Sequence, residues 1–132
     1  SDMTRTFFMG EPANEDKKIY EIVLRAQEEA LNAVRDGVSC KAVDNVARSY
    51  IEASGYGEYF GHGLGHGVGL EIHEYPKVNG ASEDILETGM VITIEPGIYL
   101  PGRIGIRIED MVLVTREGHI NLTDTDKKMK IK

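Results

Sequence analysis

Long hydrophobic runs, paired cysteines and a surplus of basic residues are all missing from this sequence. No apolar run approaches the roughly 20 residues that cross a bilayer, and no charged-then-apolar leader opens the chain, so it is expected to be neither membrane-bound nor visibly targeted. Cys40 stands alone. No disulfide can therefore close within the chain, nothing points to an oxidising compartment, and a cytoplasmic setting is expected. Lys and Arg number 15 against 22 Asp and Glu, a formal net charge of -7 with no segregated basic face, which argues against a nucleic-acid partner. Internal repeats and low-complexity tracts are absent too, since the 15 glycines gather in the middle without forming one.

What is present is ordinary globular composition: 41% hydrophobic and 28% charged residues. At 132 residues the chain suits one domain, 1–132, with a real core, and is too short for two. Its opening, SDMTRTFF, lacks an initiator Met and already reads as a strand, so the chain is expected to be part of something longer. Period two in that strand puts Asp2, Thr4 and Thr6 on one face and Met3, Arg5 and Phe7 on the other.

Asn14 is placed to cap a helix over 14–36, with Ile19, Ile22, Val23, Ala26, Ala30, Ala33 and Val34 at helical spacing and Gly37 near its end. Ser39 is placed to cap a second over 39–54, with Ala42, Val43, Val46, Ala47, Tyr50 and Ile51 as its inner stripe and Gly55 closing it. The two stripes predict a pair packed on a sheet. From Gly55 to Gly69 a glycine recurs every few residues around His62 and His66, which favours neither helix nor regular strand and implies close backbone approach. Beyond Gly80 the chain turns β-rich, with Met90–Glu95 and Ile104–Thr115 as strands of a hairpin or meander and His119–Leu122 as a short addition. The closing DTDKKMKIK reads as a solvated, fraying end, and His119 as a surface residue.

Glu95 closes an apolar strand directly before a Pro-Gly turn, where a carboxylate invites a cation. Alternation in the later strand points Arg107 and Glu109 the same way. Taken singly, either glutamate fits a surface or ion-pair role. Asp2, His66, Glu95 and Glu109 together form an oxygen-rich set with one imidazole, suited to Mn, Co, Fe or Zn. Two divalent cations bring +4 whereas three carboxylates supply -3, which hints at a further acidic ligand outside this chain.

HGLGHGVGLEIH (His62–His73), MVITIEPGIY (Met90–Tyr99) and GIRIED (Gly105–Asp110), in that order after SDMTRTF, strongly resemble the pita-bread metallopeptidases, a superfamily of methionine aminopeptidases, aminopeptidase P, prolidases and metal-free creatinases. The short link from Glu95 to Glu109 looks most like the Xaa-Pro dipeptidases, or prolidases. The resemblance implies an α+β fold, the carboxy-terminal part of the pita bread, with two helices on a curved, mostly antiparallel sheet. It implies a dinuclear centre, with Mn or Co favoured over Zn or Fe, held by Asp2, His66, Glu95 and Glu109. Glu95 would also handle the proton of the attacking water. His73 would bind the substrate and stabilise the tetrahedral intermediate, with a satisfied core histidine as its alternative. His62 would be a second substrate-side histidine, or else a loop residue. Tyr99 and Arg107 would orient the ligands, or simply pack and pair. Lys77 would hold the free carboxylate of the substrate, or stand solvated.

The implied reaction is hydrolysis of a dipeptide ending in proline. Its rivals are another aminopeptidase of the fold and a binding module that has lost its chemistry. The family pattern also has an aspartate on the strand before Asp2, a histidine further upstream, the first half of the sheet and a separate amino-terminal domain, none of them within these residues. The chain alone is therefore expected to be inactive, and to self-associate as a homodimer or associate with the amino-terminal part.

Overall fold

The computed structural model describes residues 1–132. The first helix, α1 (Asn14–Ala33), buries Ile19, Ile22, Val23, Ala26 and Ala30 at the predicted spacing. The second, α2 (Cys40–Ala53), buries Val43, Ala47 and Ile51. Each fully buried Ile or Val on these stripes contributes about 1.5–3 kcal/mol. Ser39 does cap α2, its hydroxyl accepting from the Ala42 amide at 3.1 Å, and Gly55 follows in the left-handed region at φ +90°. The start of α1 differs from expectation. Ala13 occupies the cap with no side-chain bond, Asn14 is already helical, and Glu15 and Asp16 complement the helix dipole instead. The helix also stops short of residue 36, because Val34 turns extended and is buried.

Five strands, β1 (Gly65–Gly67), β2 (Glu74–Val78), β3 (Val91–Ile94), β6 (Asp110–Val114) and β7 (His119–Asn121), form an antiparallel sheet in the order β2-β1-β3-β6-β7. A separate hairpin pairs β4 (Gly97–Leu100) with β5 (Ile104–Arg107). The helices pack on each other, α1 also on β3, β4 and β5, and α2 on β2. Gly65 and Gly67 bear out the close-approach reading: a Cβ at Gly65 would lie 1.9 Å from the Thr93 carbonyl oxygen, and one at Gly67 would lie 2.0 Å from that of Tyr75. Only glycine lets β1 fit between β2 and β3 there, and that is how a strand arises where glycine propensity argued against one. The β2 strand itself was not anticipated.

The expected strand Ile104–Thr115 is two strands in two sheets. Ile94 pairs with Asp110 and Gly97 with Arg107, so Glu95 and Glu109 both sit where the chain crosses between the sheets. At that crossing alternation lapses, and Glu109 and Asp110 are both buried.

Two terminal expectations are corrected. Residues 1–8 do not form a strand: they make isolated bridges, Thr4 to Glu109 and Phe8 to Ile131, and side chains do most of the holding. The closing segment does not fray. Lys132 donates to the Phe8 carbonyl at 2.8 Å, and Lys127 pairs with Asp110 at 2.8 Å. His119 is half-buried, and its pKa is lowered by burial and the Lys127 charge, with Asp110 opposing.

Candidate metal centre

The irregular opening segment, β1 and the two sheet crossings bring Asp2, His66, Glu95 and Glu109 together. One donor atom each from Asp2, His66 and Glu109 lies within 4.8 Å of the others. His66 Nε2 is 3.6 Å from Asp2 Oδ2 and 3.2 Å from Glu95 Oε1. Its Nδ1 lies 3.0 Å from the Gly67 carbonyl oxygen, which can only accept. Nδ1 therefore donates to that carbonyl, and Nε2 is the ring atom that faces the carboxylates, the one free to ligate a cation placed among them.

Glu109 is 3% exposed. Its Oε2 accepts the Thr4 hydroxyl, whereas Oε1 is buried without any hydrogen-bond partner. Burial raises the Glu109 pKa, the Thr4 hydrogen bond opposes it, the Glu95 and Asp2 charges raise it further, and Arg107 opposes. Three carboxylates around one imidazole, one of them with a bare buried oxygen, fit a divalent cation well.

Beside His66 and Glu95 lies a cavity of about 380 Å³, lined also by His62, His73, Lys77, Asn79 and Arg107, whereas Asp2 and Glu109 stand outside its lining. His73 is exposed, and its ring meets that of His66 edge-on at 4.3 Å. Lys77 is exposed. The Tyr99 hydroxyl lies 2.8 Å from His62 Nε2, while His62 Nδ1 faces the Gly63 carbonyl at 2.7 Å. Nδ1 is then the donor, and the Tyr99 hydroxyl donates to Nε2. Arg107 Nε donates to the Thr4 hydroxyl at 3.1 Å, and so reaches Glu109 through Thr4. Burial works against the Arg107 charge, but the Tyr99 hydrogen bond and the surrounding negative groups outweigh it and hold its pKa high.

Several residues escaped the sequence reading. Thr93 accepts the His66 amide at 3.1 Å and donates to Glu95 Oε1 at 3.1 Å. As the lone hydroxyl in an apolar strand, it was visible in principle. Arg5 donates to the carbonyls of Thr4 and Glu109 at 2.9 and 2.6 Å and to Asp110 at 2.6 Å. It ties the segment carrying Asp2 to the strand junction carrying Glu109.

Residues 1–116 match metallopeptidase family M24. The chain belongs to that family, and its fold is the carboxy-terminal part of the pita bread, two helices on a mostly antiparallel sheet. It is 52% identical over 98% of its length to a Xaa-Pro dipeptidase of Pyrococcus horikoshii, of which it spans 37%. It superposes over its whole length on 37% of a Xaa-Pro dipeptidase from Bacillus anthracis, with a TM-score of 0.98 and 49% identity. An X-Pro aminopeptidase from Thermotoga maritima is matched as well, with a TM-score of 0.97 and 45% identity over 38% of that chain. No helix is long and apolar enough to cross a membrane.

Proposed function

We propose that this chain supplies most of the centre of a dinuclear Xaa-Pro dipeptidase, and that the reaction it serves is hydrolysis of the peptide bond before a carboxy-terminal proline. The observation that carries the reading is the cluster of Asp2, His66 and Glu109, with Glu95 3.2 Å from His66 Nε2 and Glu109 Oε1 buried without a partner. Those four residues are the proposed metal ligands. Mn or Co suits the oxygen-rich set, with Zn or Fe as alternatives. Bound cations would polarise the scissile carbonyl and lower the pKa of water from 15.7 toward about 7.

The chain's own residues would do the rest. Glu95, steadied by the Thr93 hydroxyl, takes the proton of the attacking water and passes it to the departing proline nitrogen. His73 donates to the oxyanion, a contact of the kind worth about 3 kcal/mol. His62, its acceptor nitrogen engaged by Tyr99, faces the substrate with Lys77, whose ammonium takes the proline carboxylate. Tyr99 and Arg107 hold His62 and Glu109 in place.

The isolated 132-residue chain is proposed to be inactive, since three carboxylates leave a second cation underneutralised. The edge strands β2 and β7 suit either homodimerisation or association with the amino-terminal part. The lone buried Cys40 fits a cytoplasmic setting. The experiment assays this chain and a polypeptide of the relatives' full length containing it, each at saturating Mn or Co, against one Xaa-Pro dipeptide and one Xaa-Pro tripeptide. Turnover of the dipeptide by the longer protein alone is expected. Preference for the tripeptide would favour an aminopeptidase, a reading that similarity to the Thermotoga maritima structure also supports. Inactivity on both would leave a binding module.

A further inference from the structure

The segment that carries His62 has little backbone bonding of its own. Phe60–Leu64 lies between a single 3-10 turn, Gly57–Tyr59, and β1, and includes Gly61 and Gly63. Such a stretch loses much conformational freedom on ordering and needs an external template. One face of α2 provides it. Asp44 and Arg48 are one helical turn apart, and the Asp44 carboxylate, 1% exposed, grips the guanidinium through two bonds of 2.8 and 2.9 Å. The same guanidinium donates to the Phe60 carbonyl at 3.0 Å and the His62 carbonyl at 2.8 Å. Asp44 Oδ1 accepts the Leu64 amide at 3.1 Å. Arg48 also lies over the Phe60 ring at 4.2 Å, and that ring meets the His62 imidazole edge-on at 5.1 Å.

We propose that Asp44 and Arg48 are positioning residues for His62, acting from a helix that contributes no group to the cavity. Three backbone groups, one before His62, one after it and its own carbonyl, are held by this one pair, so the imidazole enters the cavity at a fixed height and meets the Tyr99 hydroxyl. A lysine at 48 would keep the charge but could not bridge Asp44 and two carbonyls in one plane. The inference rests on the reading of His62 as a substrate-side group.

The test uses the full-length holoenzyme with Arg48→Gln, Arg48→Lys, His62→Ala and the double variant Arg48→Gln/His62→Ala. Arg48→Gln is expected to lower kcat/KM on a Xaa-Pro dipeptide about 10- to 100-fold, the usual penalty for slight misplacement of a reacting group, with Arg48→Lys falling between it and wild type. In the His62→Ala background the Arg48→Gln effect should vanish. If it persists undiminished, or if Arg48→Gln leaves kcat/KM unchanged, the proposal is overturned. Should Arg48→Gln fail to fold, Arg48→Lys takes its place in the cycle.

A second readout separates this inference from the proposed function. In zinc-loaded protein the His62 ring-nitrogen resonances should move on substitution of Arg48 while those of His119 stay put. Unmoved His62 resonances, even with a lowered melting point, would mean a merely structural role and overturn the proposal. An enzyme inactive on Xaa-Pro substrates whose His62 resonances do move would refute the function and leave the positioning intact.

Discussion

Glu109 and Asp110 are consecutive, and both are hidden from solvent, yet they live in opposite electrostatic surroundings. Asp110, 0% exposed, receives hydrogen bonds from Arg5, Gln27, Asn121, Thr123 and Lys127, at 2.6 to 3.0 Å. Burial alone would raise its pKa, but the bonds from Lys127, Gln27, Thr123 and Arg5 prevail and hold the carboxyl well below the ordinary range. Glu109 receives one hydroxyl and leaves an oxygen bare among other carboxylates, and its pKa is pushed up. One acid fastens the opening segment, α1, β7 and the closing segment to a single point. The other is held, at a cost to the fold, where a cation could use it. Stability and the proposed chemistry are thus separated by one peptide bond.

The largest effect expected from breaking this contrast is on the Glu109 side. In a full-length protein, Glu109→Gln should lower turnover by more than about 100-fold, above the usual loss for a residue that only supports a ligand. The metal-free variant should be no less stable than wild type, because a charge buried without compensation has been removed. Metal content after dialysis is expected to fall too, and turnover assays and urea melts measure the other two effects. Full metal retention with intact turnover would remove Glu109 from the ligand set.

Asp110→Asn should do the reverse. Breaking a buried, multiply bonded charge costs about 3 kcal/mol, which in a chain of this size lowers the melting temperature by roughly 10 °C. Thermal unfolding of the 132-residue chain measures it directly. A shift near zero would mean that the network is replaceable by water. Between these extremes, Thr4→Val removes one of the few groups contacting Glu109 and one end of the Arg107 bond. Metal affinity should fall about tenfold with little change in melting temperature, as titration with Mn would show.

The same contrast marks how far the sequence could be read. Glu109 was legible because it interrupts an apolar pattern inside a motif, and so was the stripe of α1 that packs on the sheet. Asp110 was not: its partners Arg5, Gln27 and Lys127 lie 105, 83 and 17 residues away, and no period of two or 3.6 links positions that far apart. The docked closing segment was misread for the same reason, since its polar composition is that of a solvated tail until Asp110 takes up Lys127. Strand β1 was missed because glycine propensity is local, whereas the need for glycine at 65 and 67 comes from backbones on either side. The Asp44–Arg48 pair carries no sequence signal beyond an acid and a base four residues apart on a helix, and its role comes only from the path of the His62 segment across it.

Cys40 sharpens the comparison by isolating burial from ligand crowding, and its effect is the smallest near neutral pH. Its side chain is fully buried at the start of α2. Burial first, and the Asp84 charge second, push the thiol from 9.0 up to about 11, against hydrogen bonds from its own backbone and Ser82. The unfolded chain therefore gives up this proton first. The thiol's contribution is intact below its ordinary range and is lost as pH rises through 9 toward about 11. That shift corresponds to about 3 kcal/mol in full, none of it lost at pH 7. Denaturant melts of wild type and Cys40→Ala near neutrality and at roughly pH 10.5 isolate the term, since the other titrating groups cancel in the difference between the two proteins. Wild type should lose about 2 kcal/mol relative to Cys40→Ala over that interval. A pH-independent difference would show that the native thiol ionises as readily as the unfolded one. Burial alone would then be too weak here to explain the raised Glu109 carboxyl, and the crowding of Glu95 and Asp2 around it would have to supply most of that shift.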